Sequence, residues 1–549
     1  MPGGEMSLIV EGNQNVILNG NPTKTFFTSV YKKYTNFGMQ KFRLDYEGLR
    51  ELKLSQESVF NFKVKRYADL FADTYLCVTL PNIFSPIYPF DCTSTTNDGV
   101  WVPYEFQWIK YLGFMMIKEI EIYSGGLTIQ KVSGDYLYAT FMRDMGEFKE
   151  LVHEMIGNTA DFNDPANSGV RDNTYPNAVY TDGSTPEPSI RSRKLYIPLN
   201  LWFCLNKQQA LPLCALQYNE IELRITLRPI SELFTIRDVT DATNDYPRLA
   251  PNFNIAEHAF YRFIQEPVDP ENNIYSNTST SWNQDIHLLA NYIFLSDEEK
   301  SIFTAYDHKY LFKEVHEYTF NDIIGTTKEK IHTAGLVVDW MMIFKRNDVY
   351  LRNEWTNYTN WSYDYLPSDV VLASKTGTLC SGEYGPGLNE DGTSTELYSS
   401  GLYAFENDKH ILKSLGILFD GEYREYVLDE SIYRLTEPYL ISPQPCQTFT
   451  ADIYCYNFSL NTNPFVLQPC GAVNLSKYYD IELELNTITP PVDSNATFNT
   501  ICDPVTNEII GINKPSATLY EYTYDLLVLE HRYNILEINN GACSLMYAR

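Results

Sequence analysis

Short runs in which apolar and polar residues alternate recur along the whole chain. The clearest is Glu220-Ile221-Glu222-Leu223-Arg224-Ile225-Thr226-Leu227-Arg228, aliphatic on one face and mostly charged on the other. Successive strand side chains point to opposite faces, so this run predicts a half-buried strand whose polar face is wet or lies at an interface. Phe60, Phe62 and Val64 alternate with Asn61, Lys63 and Lys65, and Thr74 to Leu80 is a denser apolar run before Pro81. Ile120 and Ile122 lead into the hairpin signal Ser124-Gly125-Gly126, which Leu127 and Ile129 follow. The second half repeats the pattern in Asp452 to Leu460, Ile481-Glu482-Leu483-Glu484-Leu485 and Tyr520 to Leu529. Together these runs predict an all-β protein.

Two segments break the period. Leu137, Phe141, Met145, Phe148, Val152 and Met155 recur at three- to four-residue steps after Gly134, which predicts one helix with a single apolar stripe. Ser296-Asp297-Glu298-Glu299 has the form of a capping box ahead of Ile302, Phe303 and Tyr306. Both helices are expected to pack at the margin of a sheet. Long polar stretches at about 91–103, 158–189, 347–407 and 486–516 read as loops of an outward face.

A faint internal echo relates the halves. Tyr218-Asn219-Glu220-Ile221-Glu222-Leu223 follows Pro212-Leu213-Cys214, and Tyr479-Asp480-Ile481-Glu482-Leu483 follows Gln468-Pro469-Cys470. Aligning Ile221 with Ile481 gives an offset of 260 residues (481 − 221), close to half of the 549-residue chain. Two copies of one β-domain would produce it. The length independently calls for more than one ordinary core.

Composition narrows the function classes. A formal charge of −28 and the lack of a dense Lys/Arg tract argue against direct nucleic-acid binding. Aromatic residues make up 14% of the chain, with 42 Tyr and 30 Phe, which suits pleated sheets and buried interfaces. The ten cysteines contain no Cys-x-x-Cys pair and read as buried thiols of a reducing compartment. The start, Met1-Pro2-Gly3-Gly4-Glu5-Met6, has no basic region followed by an apolar run, so no secretory signal is expected. Apolar windows such as Tyr111 to Ile122 are too short to span a bilayer.

Four segments carry a family resemblance. The first runs Gly20-Asn21-Pro22-Thr23-Lys24-Thr25-Phe26-Phe27-Thr28-Ser29-Val30-Tyr31-Lys32-Lys33-Tyr34-Thr35-Asn36-Phe37, where the Asn-Pro turn predicts a strand starting just after it. The second is Leu195-Tyr196-Ile197-Pro198-Leu199-Asn200-Leu201-Trp202-Phe203-Cys204 with Ala210-Leu211-Pro212-Leu213-Cys214-Ala215-Leu216-Gln217-Tyr218. The third and fourth are Gln468-Pro469-Cys470-Gly471-Ala472-Val473-Asn474-Leu475-Ser476-Lys477 and Tyr533-Asn534-Ile535-Leu536-Glu537-Ile538-Asn539-Asn540-Gly541-Ala542. In this order they resemble the major capsid proteins of nucleocytoplasmic large DNA viruses, with Cys470 where the family has Ser and Lys477 where it has Arg.

The resemblance implies two consecutive eight-stranded antiparallel jelly rolls. On that basis we expect an N-terminal arm over 1–24, a first roll over 25–230, a linker over 231–281 and a second roll over 282–549. It also implies a structural protein without enzymatic activity or cofactor, forming a homotrimer that tiles an icosahedral shell as a pseudo-hexagonal capsomer. Its expected partners are neighbouring capsomers and minor capsid and penton proteins, with an internal viral membrane nearby but not spanned. Its expected place is the virion, after synthesis in host cytoplasm. The competing readings are a carbohydrate-binding or glycan-cleaving β-sandwich and a paralogous minor capsid protein.

Other chemistry is sparse. His308, His316 and the pairs His153-Glu154 and His316-Glu317 do not complete a metal-binding helix motif. Gly385-Pro386-Gly387 lacks the lysine of a phosphate loop, and no Gly-x-Ser-x-Gly elbow occurs. Glu482 and Glu484 fall at i and i+2 on the outer face of a strand, which fits a solvated or interfacial face better than a glycosidase pair. Sequons occur at Asn277, Asn357, Asn360, Asn457, Asn474 and Asn495. Asn457 and Asn474 lie in predicted strand regions, which leaves Asn277, Asn357, Asn360 and Asn495 as candidate glycosylation sites.

Overall fold

The computed structural model describes residues 2–10, 12–89, 101–146, 149–176, 186–239, 248–268, 274–361, 387–388, 394–395, 409–442, 452–490, 499–502, 509–513 and 522–547. Two sandwiches follow one another along the chain. The first is built from β1 (Phe37–Asp45), β2 (Ser58–Lys63), β3 (Leu70–Thr79), β4 (Ile117–Ser124), β5 (Leu127–Ser133), β6 (Lys194–Pro198), β7 (Ile221–Leu227) and β8 (His287–Leu295). One sheet runs β1-β8-β3-β6 and the facing sheet β2-β7-β4-β5, every pair antiparallel.

The second sandwich uses β9 (His308–Ile323), β10 (Thr326–Lys330), β11 (Leu336–Arg346), β12 (Leu412–Phe419), β13 (Glu422–Asp429), β14 (Ile453–Asn457), β15 (Ile481–Thr487) and β16 (Tyr524–Asn539). Its sheets run β9-β16-β11-β14 and β10-β15-β12-β13. Moved on by eight strands, the first roll's order is the second roll's order: the fold is a double jelly roll. The echo seen in the sequence lies on equivalent strands, since Ile221 opens β7 and Ile481 opens β15.

The alternation on β7 explains its central place. Leu223 lies between Phe62 and Ile122, and Ile225 between Phe60 and Ile120, all buried in the first sandwich. On the other face, Arg224 lies between Asn61 and Glu121 and pairs with Glu121 at 3.3 Å. Cross-strand contacts thus set the register, because a one-residue slip would bury the charges.

Several expectations need correction. The strand expected after Pro22 starts only at Phe37, and Phe26, Phe27, Val30, Tyr31 and Tyr34 are exposed. Their β-propensity is satisfied by no sheet in a single chain, so the exposed arm reaches Asn36 rather than residue 24. The described residues of 231–281 do not stand clear of the first roll as a linker would. Phe234–Arg237 pairs with Gln107–Trp108 and Arg248–Leu249, and Phe234, Ile236, Phe260 and Phe263 are buried in the first core. The strand pairing also places β8 beside β1 and β3, so the first sandwich runs on to Leu295.

The stripe over 137–155 is carried by two helices, Gly134–Asp144 and Lys149–Ile156, with Met145 closing the first. The side chain of Phe148, like residues 91–100, 362–386 and 491–498, lies outside the described residues. The capping box is present: Ser296 Oγ accepts from the Glu299 N–H at 3.5 Å at the start of the Asp297–Ala305 helix.

Candidate assembly surfaces

The helix that follows β5 lies between the rolls, not at a sheet margin. Ser133 caps it, its Oγ accepting from the Tyr136 N–H at 3.2 Å. Gly134 begins it because a Cβ there would run into the carbonyl oxygens of Phe114 and Ile117. Leu137, Phe141 and Met142 are buried, and they share one continuous core with Met341, Ile343, Leu529 and Cys455 from the second roll. Those four residues are on the outer face of the sheet β9-β16-β11-β14. The inner face of that sheet carries Trp340, Met342 and Phe344, which belong to the second roll's separate core.

A charged cluster is sealed into this seam. Arg143 Nη1 donates to Asp339 Oδ1 at 2.7 Å, and its Nη2 lies 3.0 Å from Asp144 Oδ2. His531 Nδ1 is 2.8 Å from Asp339 Oδ1, and its Nε2 is 3.2 Å from the Tyr136 hydroxyl. Thr462 Oγ1 donates to Asp144 at 2.8 Å, and Ser442 Oγ to the Arg143 carbonyl at 2.6 Å. Burial alone would raise the Asp339 carboxyl, but the charges of Arg143 and His531 hold it well below the usual carboxylate range. Lys345 adds a second tie, its Nζ 2.6 Å from Asp135 Oδ1. Asn353 adds a third, donating to the carbonyls of Ser231 at 2.7 Å and Phe234 at 2.8 Å.

Two edges make the seam. Beside β5, Gln130 Nε2 donates to the Lys313 carbonyl on β9 at 3.4 Å, and Trp202 lies 5.1 Å from Phe312 between ring centres. An apolar seam with paired charges in it holds the rolls together.

The sequence-derived sites fall apart in space. Asn277 is exposed, and its Oδ1 accepts from the Ser279 N–H at 2.9 Å. Asn357 and Asn360 are buried, which corrects the expectation of accessible sequons. Asn357 Nδ2 donates to the Trp361 carbonyl at 2.8 Å, and Asn360 Oδ1 accepts the hydroxyls of Tyr522 and Tyr524 at 2.7 and 2.6 Å. Asn495 lies outside the described residues.

The histidines weighed as ligands are dispersed. His308 Nε2 is 2.7 Å from the Phe303 carbonyl, His153 Nδ1 is 2.8 Å from Asn158 Nδ2, and His316 Nε2 is 3.5 Å from Glu314. Glu484 accepts from the Tyr423 hydroxyl at 2.9 Å and pairs with Lys328 at 3.3 Å on an open sheet face. Sequence reasoning missed the Arg143 cluster. Its signal was a charged Arg143-Asp144 pair inside an apolar helical stripe.

Comparison with known proteins agrees with this architecture. A family profile described as the N-terminus of the major capsid protein matches residues 25–296. A major capsid protein of Phaeocystis pouchetii virus is 24% identical over the whole of both chains. The chain belongs to the major capsid protein family of large DNA viruses. A major capsid protein of Chrysochromulina ericina virus is 27% identical over 60% of this chain, and the match spans about half, 55%, of that relative. Among solved structures, PBCV-1 VP54 superposes with a TM-score of 0.59 at 19% identity, covering 96% of this chain and all of that one. The Faustovirus major capsid protein superposes with a TM-score of 0.58 at 12% identity, covering 94% and 93%. The major capsid family and these relatives are structural shell components rather than enzymes.

Proposed function

We propose that three copies of this chain associate into a pseudo-hexagonal capsomer, the tile of an icosahedral virion shell. The observation that carries this reading is the repeated strand order: one chain supplies two similar rolls joined by a shared apolar core, so three chains supply six. Closed rotational symmetry then satisfies the strongest contacts, and weaker lateral contacts build flat facets. The acidic surface keeps such a tile soluble before assembly. Minor capsid and penton proteins and an underlying membrane complete the shell after synthesis in host cytoplasm. Asn277 is the candidate for a surface glycan.

Light scattering on the purified protein tests the reading. A mass three times the 63.4 kDa of the chain is expected. A protein that stays monomeric at all concentrations and is absent from the shell of purified particles would overturn it.

A further inference from the structure

The N-terminal arm leaves its apolar side chains uncovered. The helix Gly3–Ile9 carries Met6, Leu8 and Ile9, and the helix Asn15–Asn19 carries Val16, Ile17 and Leu18, all of them exposed. The last three are consecutive, at 66, 83 and 86% exposure. Neighbours on a helix point about 100° apart, so these side chains face in three directions and no single flat surface can cover them. A helix that is apolar on every side is stable only where its surroundings enclose it.

Between these helices and β1 the arm changes character. Phe26, Phe27, Tyr31 and Tyr34 are exposed, and Lys24, Lys32 and Lys33 stand among them. Residues 12–36 contain no acidic residue, in a chain whose formal charge is −28. From its tip inward the order is apolar, then aromatic and basic, then the acidic body. A membrane read outward from its hydrocarbon has the same order: acyl chains, an interface that favours aromatic rings and lysines, and water. Topology sets the arm apart from the long connections. It enters β1 at the end of the first sandwich where β8 stops and β3 begins, whereas the connections from β3 to β4, β5 to β6 and β7 to β8 all leave from the other end. The second roll points the same way. The Tyr218 N–H donates to the Gly541 carbonyl at 3.0 Å at the arm's end, and Asn353 donates to the Ser231 carbonyl at 2.7 Å at the other.

We propose that the arm is a membrane anchor: its two helices enter an anionic lipid leaflet, and Phe26 to Tyr34 lie at the headgroups with the three lysines on the lipid charges. This rests on the shell reading above for the membrane the protein meets, but binding itself needs no shell. Lysines without an acid among them select anionic headgroups. The acidic body beyond them is repelled by the same surface, which stands the rolls off the lipid with their long connections turned away. A second copy of the chain is the poorer occupant. Its acidic surface would match the lysines, but it would cover one face of Val16-Ile17-Leu18 and leave the others in water.

The test floats the purified full-length protein with vesicles of phosphatidylcholine containing phosphatidylserine, and with vesicles of phosphatidylcholine alone. The parent should rise with the anionic vesicles and far less with the neutral ones. Ile17→Ser with Leu18→Ser should weaken binding to the anionic vesicles by more than about tenfold, since two aliphatic side chains leave the lipid. Lys24→Gln with Lys32→Gln and Lys33→Gln should weaken it by roughly fivefold per lysine, on the order of a hundredfold together, and erase the preference for anionic lipid. All five positions are exposed, so circular dichroism, melting temperature and the mass by light scattering should match the parent. If the parent binds neither vesicle, or both variants bind as the parent does, this inference fails while the shell reading stands. If the parent binds both vesicles equally, the assignment to anionic lipid is overturned. If the apolar variant loses mass in light scattering and keeps its lipid binding, a second copy covers the arm and the anchor is overturned. A monomeric parent that still floats through its arm upholds the anchor and counts against the trimeric reading alone.

Discussion

Replacing Arg143 with Met removes the cation between two fully buried carboxylates. The guanidinium lies 2.7 Å from Asp339 and 3.0 Å from Asp144. At an effective dielectric of about 20, a contact of this length is worth about 6 kcal/mol of attraction, against which stands the cost of dehydrating both ions. Removing one partner forfeits the attraction and leaves the dehydration uncompensated. We therefore expect Arg143→Met to destabilise the protein by about 3–5 kcal/mol. A surface control, Lys131→Met, should cost no more than about 1 kcal/mol.

The pH dependence separates this cause from simple loss of packing. In the parent, Asp339 titrates below its unfolded value of 3.8, so its contribution is complete above that pH and is lost only as the pH falls below it. The parent should be flat in this respect between about pH 7 and pH 5. In the variant only His531 still opposes burial at Asp339, so this carboxyl takes up its proton more readily than in the parent and less stability is lost on acidification. The deficit should therefore shrink as pH falls. Urea midpoints at several pH values read the effect, and hydrogen exchange in the Gly134–Asp144 helix localises it to the seam. A deficit below about 1 kcal/mol, or one that grows in acid, would refute the reasoning.

Four further outcomes follow from the packing. Gly134→Ala should destabilise by at least about 1–3 kcal/mol, seen as a lowered melting temperature, because the new Cβ meets backbone carbonyls that cannot swing aside. Asn360→Ala should cost about 1–3 kcal/mol in urea unfolding, since it strips the shared acceptor from the buried Tyr522 and Tyr524 hydroxyls. Intact-mass measurement should also find no glycan on Asn357 or Asn360. The Cys77 thiol is pushed up to about 11 by burial and should resist iodoacetamide at mildly alkaline pH until the protein is denatured; rapid labelling of the native protein would contradict its placement.

The sequence was most informative where a pattern depends on neighbours one or two positions away. The two-residue alternation on β7 and β15 specified strands with one buried face, and the Ser296 capping signal placed a helix start, because pleat direction and first-turn N–H groups are local matters. The echo between Ile221 and Ile481 was enough to suggest a repeated domain. Propensity failed at Phe26 to Tyr34, where β-forming residues find no strand to pair with in one chain. It also failed across 231–281, where a stretch without clear alternation is nevertheless held by Phe234, Phe260 and Phe263 in the core.

Tertiary structure alone decided what the seam is. Arg143 and Asp339 are 196 residues apart, and no local rule says that a charged pair inside an apolar stripe will meet a strand of another domain. Nor does any local rule mark Asn360 as a buried acceptor instead of a surface sequon. Strand identity follows from short-range sterics and alternation, which the chain carries everywhere. Which face of which strand is finally covered depends on where a second sheet arrives, and that is settled only when the two rolls close on each other.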